Sequence, residues 1–215
     1  MNDPAHEILG AVTRSVTARE DNGRTAFVIV ATRRYATDLA DLWDALTNAA
    51  RLEQWFLPVS GDLREGGNFQ FEGNAGGDVR ECEAPGHLVV TWGMGDDTSL
   101  LDLKLAALDA GRTELTLEHT GNVAHEFWQQ YGPGAVGIGW DMALFGVAEH
   151  LSPAPAVTPA NAEQWMLSDE GKDFSRRSAA AWRNASVAGG AAPDAADRAA
   201  AGAAAFYTGE TAPRG

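Results

Sequence analysis

The chain has 215 residues, of which 45% are hydrophobic, so it can bury the core of one ordinary domain and still carry an extension. Its net charge of −14 makes nucleic acid and anionic membrane surfaces poor partners. The single cysteine, Cys82, excludes a disulfide framework and a thiolate metal cluster. We expect a cytoplasmic protein, because the sequence shows neither a signal-peptide pattern nor an apolar run long enough to span a membrane.

The first part of the chain predicts two strands followed by two short helices. Alternating apolar residues predict strands over residues 8–19 and 24–34. Helical spacing then predicts one helix that carries Trp43 and a second that carries Trp55 and Phe56. The residues predicted to cap helices are Thr37 or Asp38, Asn48 and, further along the chain, Ser168.

Residues 59–120 predict a run of antiparallel strands. Apolar residues alternate with polar ones, which is typical of a sheet with one covered face and one wet face. The strand near residues 78–83 is the exception, since its face cannot be assigned. The residues predicted to share covered faces are Phe69 and Phe71; Leu88, Val90, Trp92 and Met94; Leu101, Leu103 and Leu105; and Leu115, Leu117 and His119.

A long helix is predicted over residues 135–151, and it is apolar nearly all round. Trp140 and Leu144 lie on the stripe expected to face the sheet. The opposite side carries Ile138, Met142 and Phe145, so it requires a second partner.

The C-terminal part predicts a proline-rich linker over residues 152–160 and a helical extension over residues 161–209. Pro159 is expected at the first position of a helix. Regularly placed aromatic residues in the extension favour helices that dock on the second side of the long helix, in the same chain or in a second subunit. Residues 1–7 and 210–215 are expected to be disordered tails.

The motifs, in their order, resemble those of a known family. The segments are TRRYATDLADLWDALTNAARLEQWFLP, GDLREGGNFQFEG, PGHLVVTW, GRTELTLEHTG and GWDMAL. Over residues 8–151 they resemble the START-like (SRPBCC) superfamily. The branch is that of bacterial proteins similar to the C-terminal domain of the activator of heat-shock protein 90 ATPase. The resemblance implies an α+β helix-grip fold, in which a curved antiparallel sheet wraps a long C-terminal helix and leaves a cavity.

A glycine motif at the start of the long helix invites a different interpretation. Gly132, Gly134 and Gly137 match the G-x-G-x-x-G fingerprint of dinucleotide sites. However, the preceding segment HEFWQQY is not a buried strand, and the linker lies where the acidic residue should follow. We therefore predict no cofactor. The glycines are expected to form the turn into the helix and, with Gly139, to let it lie close to the sheet.

His119, His125 and Glu126 are candidate site residues. His119 is the titratable group on an otherwise apolar strand face, so it is either a hydrogen-bonded core histidine or a polar anchor for a ligand. His125 and Glu126 lack the H-E-x-x-H metal spacing, because Gln129 occupies the second histidine position. They are expected to be solvated loop residues, and no metal site is predicted.

Together these observations predict the binding of a small apolar or aromatic molecule between the sheet and the long helix. The alternatives are a START-like enzyme that uses His119 as acid or base, a co-chaperone, and a homodimeric interaction module. No catalytic residue is predicted. The candidate ligand-cavity residues are Trp43, Trp55, Phe56, Phe69, Phe71, Trp92, Met94, Leu103, Leu117, His119, Trp140 and Leu144.

Overall fold

A computed structural model describes Glu7, residues 9–94 and residues 97–210, the side chains of Met94 and Asp97 excepted. The tails expected at residues 1–7 and 210–215 lie almost wholly outside the described residues.

Eight strands form one sheet in the order β1-β2-β8-β7-β6-β5-β4-β3. The five ladders from β3 to β8 are antiparallel. The strands are β1 (Thr13–Asp21), β2 (Arg24–Tyr35), β3 (Val59–Gly61), β4 (Asn68–Phe71), β5 (Gly76–Glu83), β6 (His87–Met94), β7 (Asp97–Asp109) and β8 (Arg112–Ala124).

Two short helices follow β2, and a short helix and then a long helix follow the last strand. The helices are α1 (Leu39–Thr47), α2 (Ala49–Leu52), α3 (His125–Tyr131), α4 (Gly134–His150), α5 (Ala162–Leu167), α6 (Asp169–Ala188) and α7 (Pro193–Thr208). This order of elements confirms the α+β helix-grip class. Among the helices of the described residues, none combines the length and the hydrophobicity that crossing a bilayer requires.

The observed helix-capping residues agree with those predicted from the sequence, whereas the observed elements differ from the predicted ones at three places. Asp38, Asn48 and Ser168 each cap a helix with a side-chain oxygen, as predicted. The predicted strand over residues 8–19 begins only at Thr13. The segment HEFWQQY is the helix α3, where a loop was expected. Pro159 does not start a helix, because α5 begins at Ala162 after its N-cap residue Asn161.

The chain divides into two compact units, which are described separately. The terminal unit comprises Met1–Ala31, Asn122–Phe145 and Ala160–Gly215. The central unit comprises Thr32–Gly121 and Gly146–Pro159.

In the central unit, the alternation along β7 and β8 places the predicted residues in the core. Leu101, Leu103 and Leu105 of β7 are buried, as are Leu115 and Leu117 of β8. The polar residues between them are more exposed, and the register pairs Leu103 with Leu117. The predicted covered face of these two strands is therefore confirmed.

In the terminal unit, the C-terminal extension docks on α4 of the same chain. Ile138 is fully buried in a cluster with Ala179 of α6 and Ala203 of α7. The ring of Phe145 stacks on that of Trp165, with ring centroids 4.9 Å apart, and also contacts Phe174. The second side of the long helix thus has the partner that the sequence required.

A buried polar network fixes this docking. Asp141 of α4 has a fully buried carboxylate, which receives both Nε and a terminal nitrogen of Arg14 from β1 at 2.9–3.1 Å. The Ser178 hydroxyl and the Trp182 indole nitrogen, both on α6, also donate to this carboxylate. Because every one of these partners is a donor, they compensate the cost of burying the negative charge. We call these four residues the Asp141 network.

The glycine motif GPGAVG lies in the same unit, at the junction between α3 and α4. Gly132 ends α3 with a φ of +53°, which confirms the predicted turn. The expectation that the glycines bring the helix close to the sheet does not match their nearest contacts. A Cβ on Gly137 would lie 2.5 Å from the ring of Trp182 in α6, and one on Gly139 would lie 3.1 Å from the Tyr207 hydroxyl of α7. These glycines instead admit the side chains of the extension.

Candidate functional site

The central unit contains an apolar pocket of about 110 Å³. Helices α1 and α2 contribute residues to its wall, as do the five strands from β3 to β7 and the loop between β3 and β4. The lining residues are Leu46, Thr47, Leu52, Val59, Leu63, Phe69, Phe71, Val79, Cys82, Leu88, Val90, Trp92, Leu101 and Leu103.

The alternation of the strands explains why apolar side chains converge on this pocket. Leu88, Val90 and Trp92 are spaced two residues apart on β6, so they project from the same face. Leu101 and Leu103 do the same on β7, and the register pairs them with Val90 and Leu88. The alternation of side chains along β6 and β7 thus accounts for most of one apolar wall of the pocket.

An aromatic cluster lies at the pocket and beside it. Phe69, Phe71 and Trp92 line the pocket, and their ring centroids lie 5.5–6.0 Å apart. Phe56 meets Phe71 edge to face at 4.9 Å, and Trp55 contacts Phe56. The structure therefore brings together five of the predicted cavity aromatics, three of them on the wall itself.

Strand β5 contributes Val79 and Cys82, which the sequence did not place. The two residues are three positions apart, so a regular strand would turn them to opposite faces. A register irregularity between Val79 and Glu81 shifts the alternation by one residue. Burial, together with the negative charge of Glu65, raises the pKa of the Cys82 thiol, so the wall carries a neutral thiol.

His119 is buried on β8, with Leu117 on the same covered face. Its Nε2 lies 2.7 Å from the Ser99 hydroxyl, and this hydroxyl donates to the carbonyl of Trp92 at 2.6 Å. Because the one hydroxyl hydrogen is used there, Nε2 carries a hydrogen and donates to Ser99. Burial lowers the pKa of His119 to about 4, so the ring is neutral near pH 7.

The two hydrogen bonds that run from His119 through Ser99 end at the backbone carbonyl of a pocket residue. The contacts described here therefore link His119 to the carbonyl of Trp92, and His119 is not among the residues that line the pocket. Its expected role as a polar anchor for a ligand stays a prediction.

The remaining predicted residues lie elsewhere. Trp43 is half-buried on α1, and the side chain of Met94 lies outside the described part of the structure. Trp140 and Leu144 are buried on α4 in the terminal unit. Their expected position toward the sheet, and with it the cavity between sheet and long helix, stays a prediction.

Within the described ranges, no group of three His, Cys, Asp or Glu side chains is placed to hold a metal ion. The fold and the pocket thus define a class of protein, the helix-grip proteins with an apolar recess against an antiparallel sheet.

Comparison with known proteins identifies the family. The family described as "Activator of Hsp90 ATPase homolog 1-like protein" matches residues 36–152, and the chain belongs to it. This confirms the START-like resemblance drawn from the sequence motifs. Among curated proteins, none matches the chain.

Solved structures extend the similarity beyond the matched segment. The crystal structure of CalU16 from Micromonospora echinospora is 30% identical, with a TM-score of 0.62, and covers 81% of this chain and 98% of that chain. Its solution structure is 31% identical, with a TM-score of 0.65, and covers 83% and 97%. EF2215 from Enterococcus faecalis, a conserved protein of unknown function, is 18% identical with a TM-score of 0.58, covers 85% and 96%, and so shows the fold alone.

Proposed function

We propose that the apolar pocket of the central unit binds a small apolar molecule of about the size of an aromatic ring. One observation supports this above all: the wall is apolar almost throughout, and three aromatic side chains meet on it. Ligand pockets are typically apolar recesses with few polar groups.

The volume limits the size of the ligand. A cavity of about 150 Å³ lined by aliphatic and aromatic residues holds benzene, whereas pockets for drug-sized ligands measure about 300–1,000 Å³. The pocket of about 110 Å³ therefore fits a single ring or a short branched chain. The polar side-chain groups on the described wall are the Thr47 hydroxyl, the Cys82 thiol and the Trp92 indole N–H, none of them charged, so the ligand carries no charge.

The single cysteine of the chain supplies a direct test, because it is part of the wall. We expect toluene to slow the alkylation of Cys82 by N-ethylmaleimide and to shift the methyl resonances of Val90 and Leu103. The rates are measured by mass spectrometry and the shifts by NMR.

Two variants of the edge strand β3 make the test specific. Val59 lines the pocket, whereas the neighbouring Ser60 is exposed and projects from the other face. Val59→Phe should fill the pocket and abolish the effect of toluene, and Ser60→Phe should leave it intact. If toluene changes neither the alkylation rate nor the resonances of the unmodified protein, the proposal is wrong.

We also propose that the protein is located in the cytoplasm. We propose that it binds neither nucleic acid nor membranes. The net charge of −14 supports the second point, because an acidic protein is repelled by phosphate backbones and anionic lipids. Cell fractionation would test the location.

A further inference from the structure

A second recess, of about 220 Å³, lies within the terminal unit and shares no residue with the apolar pocket. Four elements build it, and one of them is β2, which contributes Thr25. Val16, Ala18 and Glu20 alternate along one face of β1, and α3 adds His125 and Trp128, which are one turn apart. The C-terminal end of α6 closes the remaining side with Ser186 and the turn from Gly189 to Ala191.

The recess has a negative character. Glu20 contributes a carboxylate that is more than half exposed, and no lysine or arginine is among the lining residues that the structure describes. The carbonyl end of α6, a helix of 20 residues, carries the negative end of the helix dipole. The net charge of the whole chain, −14, adds to this field.

His125 lies beside Glu20 and forms an ion pair with it only when the imidazole is protonated. The amide nitrogen of Gln129 can only donate, so His125 Nε2 accepts its hydrogen bond at 2.9 Å. The neutral ring then carries its hydrogen on Nδ1, which lies 2.9 Å from the Thr25 hydroxyl. A carboxylate oxygen of Glu20 lies 3.3 Å from the accepting Nε2. When the ring is neutral, two electron-rich atoms face each other, so a bound cation can take the place of His125 as the partner of Glu20.

Trp128 adds a surface that suits an organic cation. Phe27 is buried and stacks on the indole, with ring centroids 5.2 Å apart and planes 20° apart, so the plane of the indole is fixed. An indole ring attracts ammonium groups more strongly than the other aromatic side chains do. A carboxylate and an aromatic ring, near the negative end of a helix dipole, form surroundings that suit a bound alkylammonium group.

We propose that this recess binds a small organic ammonium ion, with Glu20 and Trp128 as its main contacts. Gly189 is part of the site because a Cβ there would lie 2.1 Å from the Val16 carbonyl, so only glycine lets the end of α6 lie this close to β1. The site does not depend on the apolar pocket proposed above.

Choline chloride is the probe, and 3,3-dimethylbutan-1-ol, which has the same shape without the charge, is its control. NMR titrations of the full chain at constant ionic strength follow the indole N–H of Trp128 and the amides of Gly189 and Gly190. We expect choline to shift these three resonances with saturation, and we expect the neutral alcohol to leave them in place.

Two charge-matched variants complete the experiment. Glu20→Gln should weaken choline binding about tenfold, since it removes the carboxylate from the recess. Glu126→Gln removes an equal charge from the exposed surface of α3 outside the recess, and it should change the affinity less than twofold. The proposal is overturned if choline shifts none of the three resonances, if the alcohol shifts them equally, or if both variants bind choline alike.

Discussion

At the scale of single residues, His119 shows how burial sets a protonation state. The ring is 3% exposed, its Nε2 donates to Ser99, and burial lowers its pKa to about 4. An exposed histidine has a pKa near 6.5. Between these two values, the unfolded chain binds a proton at this residue and the folded chain does not.

The free energy of unfolding should therefore fall as the pH decreases through this window. The contribution of His119 is unchanged above pH 6.5, and at pH 5 it costs the folded state about 2 kcal/mol relative to pH 7. Denaturant unfolding of the protein and of His119→Gln at pH 7 and pH 5 measures this term. The variant should lose about 2 kcal/mol less than the unmodified protein between the two pH values, whatever its stability at pH 7. Equal losses in the two proteins would exclude this role of His119.

The sequence predicts which side chains share a strand face where the strands keep a period of two, while the ligand-binding role of these residues stays a prediction. Phe69, Phe71, Trp92 and Leu103 were all assigned to the cavity, and they line the pocket. The wall residue Cys82 could not be assigned, because the register irregularity in β5 breaks the alternation on which such an assignment depends. Irregular pairing depends on the neighbouring strand, which no local pattern specifies.

At the scale of elements, the packing of α4 depends on the helices of the extension. Most capping residues, the strands β7 and β8, and the need for a partner on the second side of α4 were predictable from local spacing. The residue that packs against Gly137 was not predictable. A glycine in a helix indicates that another group can approach closely, but the sequence does not show which group does so. The ring of Trp182, 45 residues further along the chain, makes this close approach.

Alanine substitutions at two glycines of α4 test this packing. Alanine favours a helix by about 1 kcal/mol over glycine. At Gly137 the added Cβ would overlap the fully buried Trp182 ring, so Gly137→Ala should lower the free energy of unfolding by about 1–3 kcal/mol.

Gly139→Ala is the matched control, because its Cβ meets only the hydroxyl end of Tyr207 at 3.1 Å. We expect it to change the free energy of unfolding by less than about 1 kcal/mol in either direction. Chemical denaturation of both variants measures the difference, and equal effects would mean that contact with Trp182 does not decide the outcome.

At the scale of the whole molecule, the extension is part of the terminal unit. It covers Ile138 and Phe145 of α4, and it supplies Ser178 and Trp182 to the Asp141 network. Removal of the extension would therefore uncover apolar side chains and take two donors from a buried carboxylate.

A chain that ends after Pro159 should self-associate and should unfold at a temperature lower by about 10 °C or more. A chain that ends after Glu210 keeps all the described helices, and it should behave as the full chain does. Light scattering after size-exclusion chromatography and thermal unfolding measure the two properties. A shortened chain with unchanged mass per particle and unchanged melting temperature would show that the extension is dispensable.

The Asp141 network also has a consequence for the order of folding during synthesis. The central unit is built largely from one continuous stretch, Thr32–Gly121, whereas the terminal unit collects three stretches from both ends of the chain. Arg14 and Asp141 can meet early, but two of the donors to Asp141 emerge only when Trp182 has left the ribosome. Domains fold as units during translation. The packing of the N-terminal strand β1 in the terminal unit is therefore completed only after the last third of the chain has been synthesised. A premature stop before Ser178 leaves the Asp141 carboxylate without its two donors from α6 and exposes the product to proteolysis.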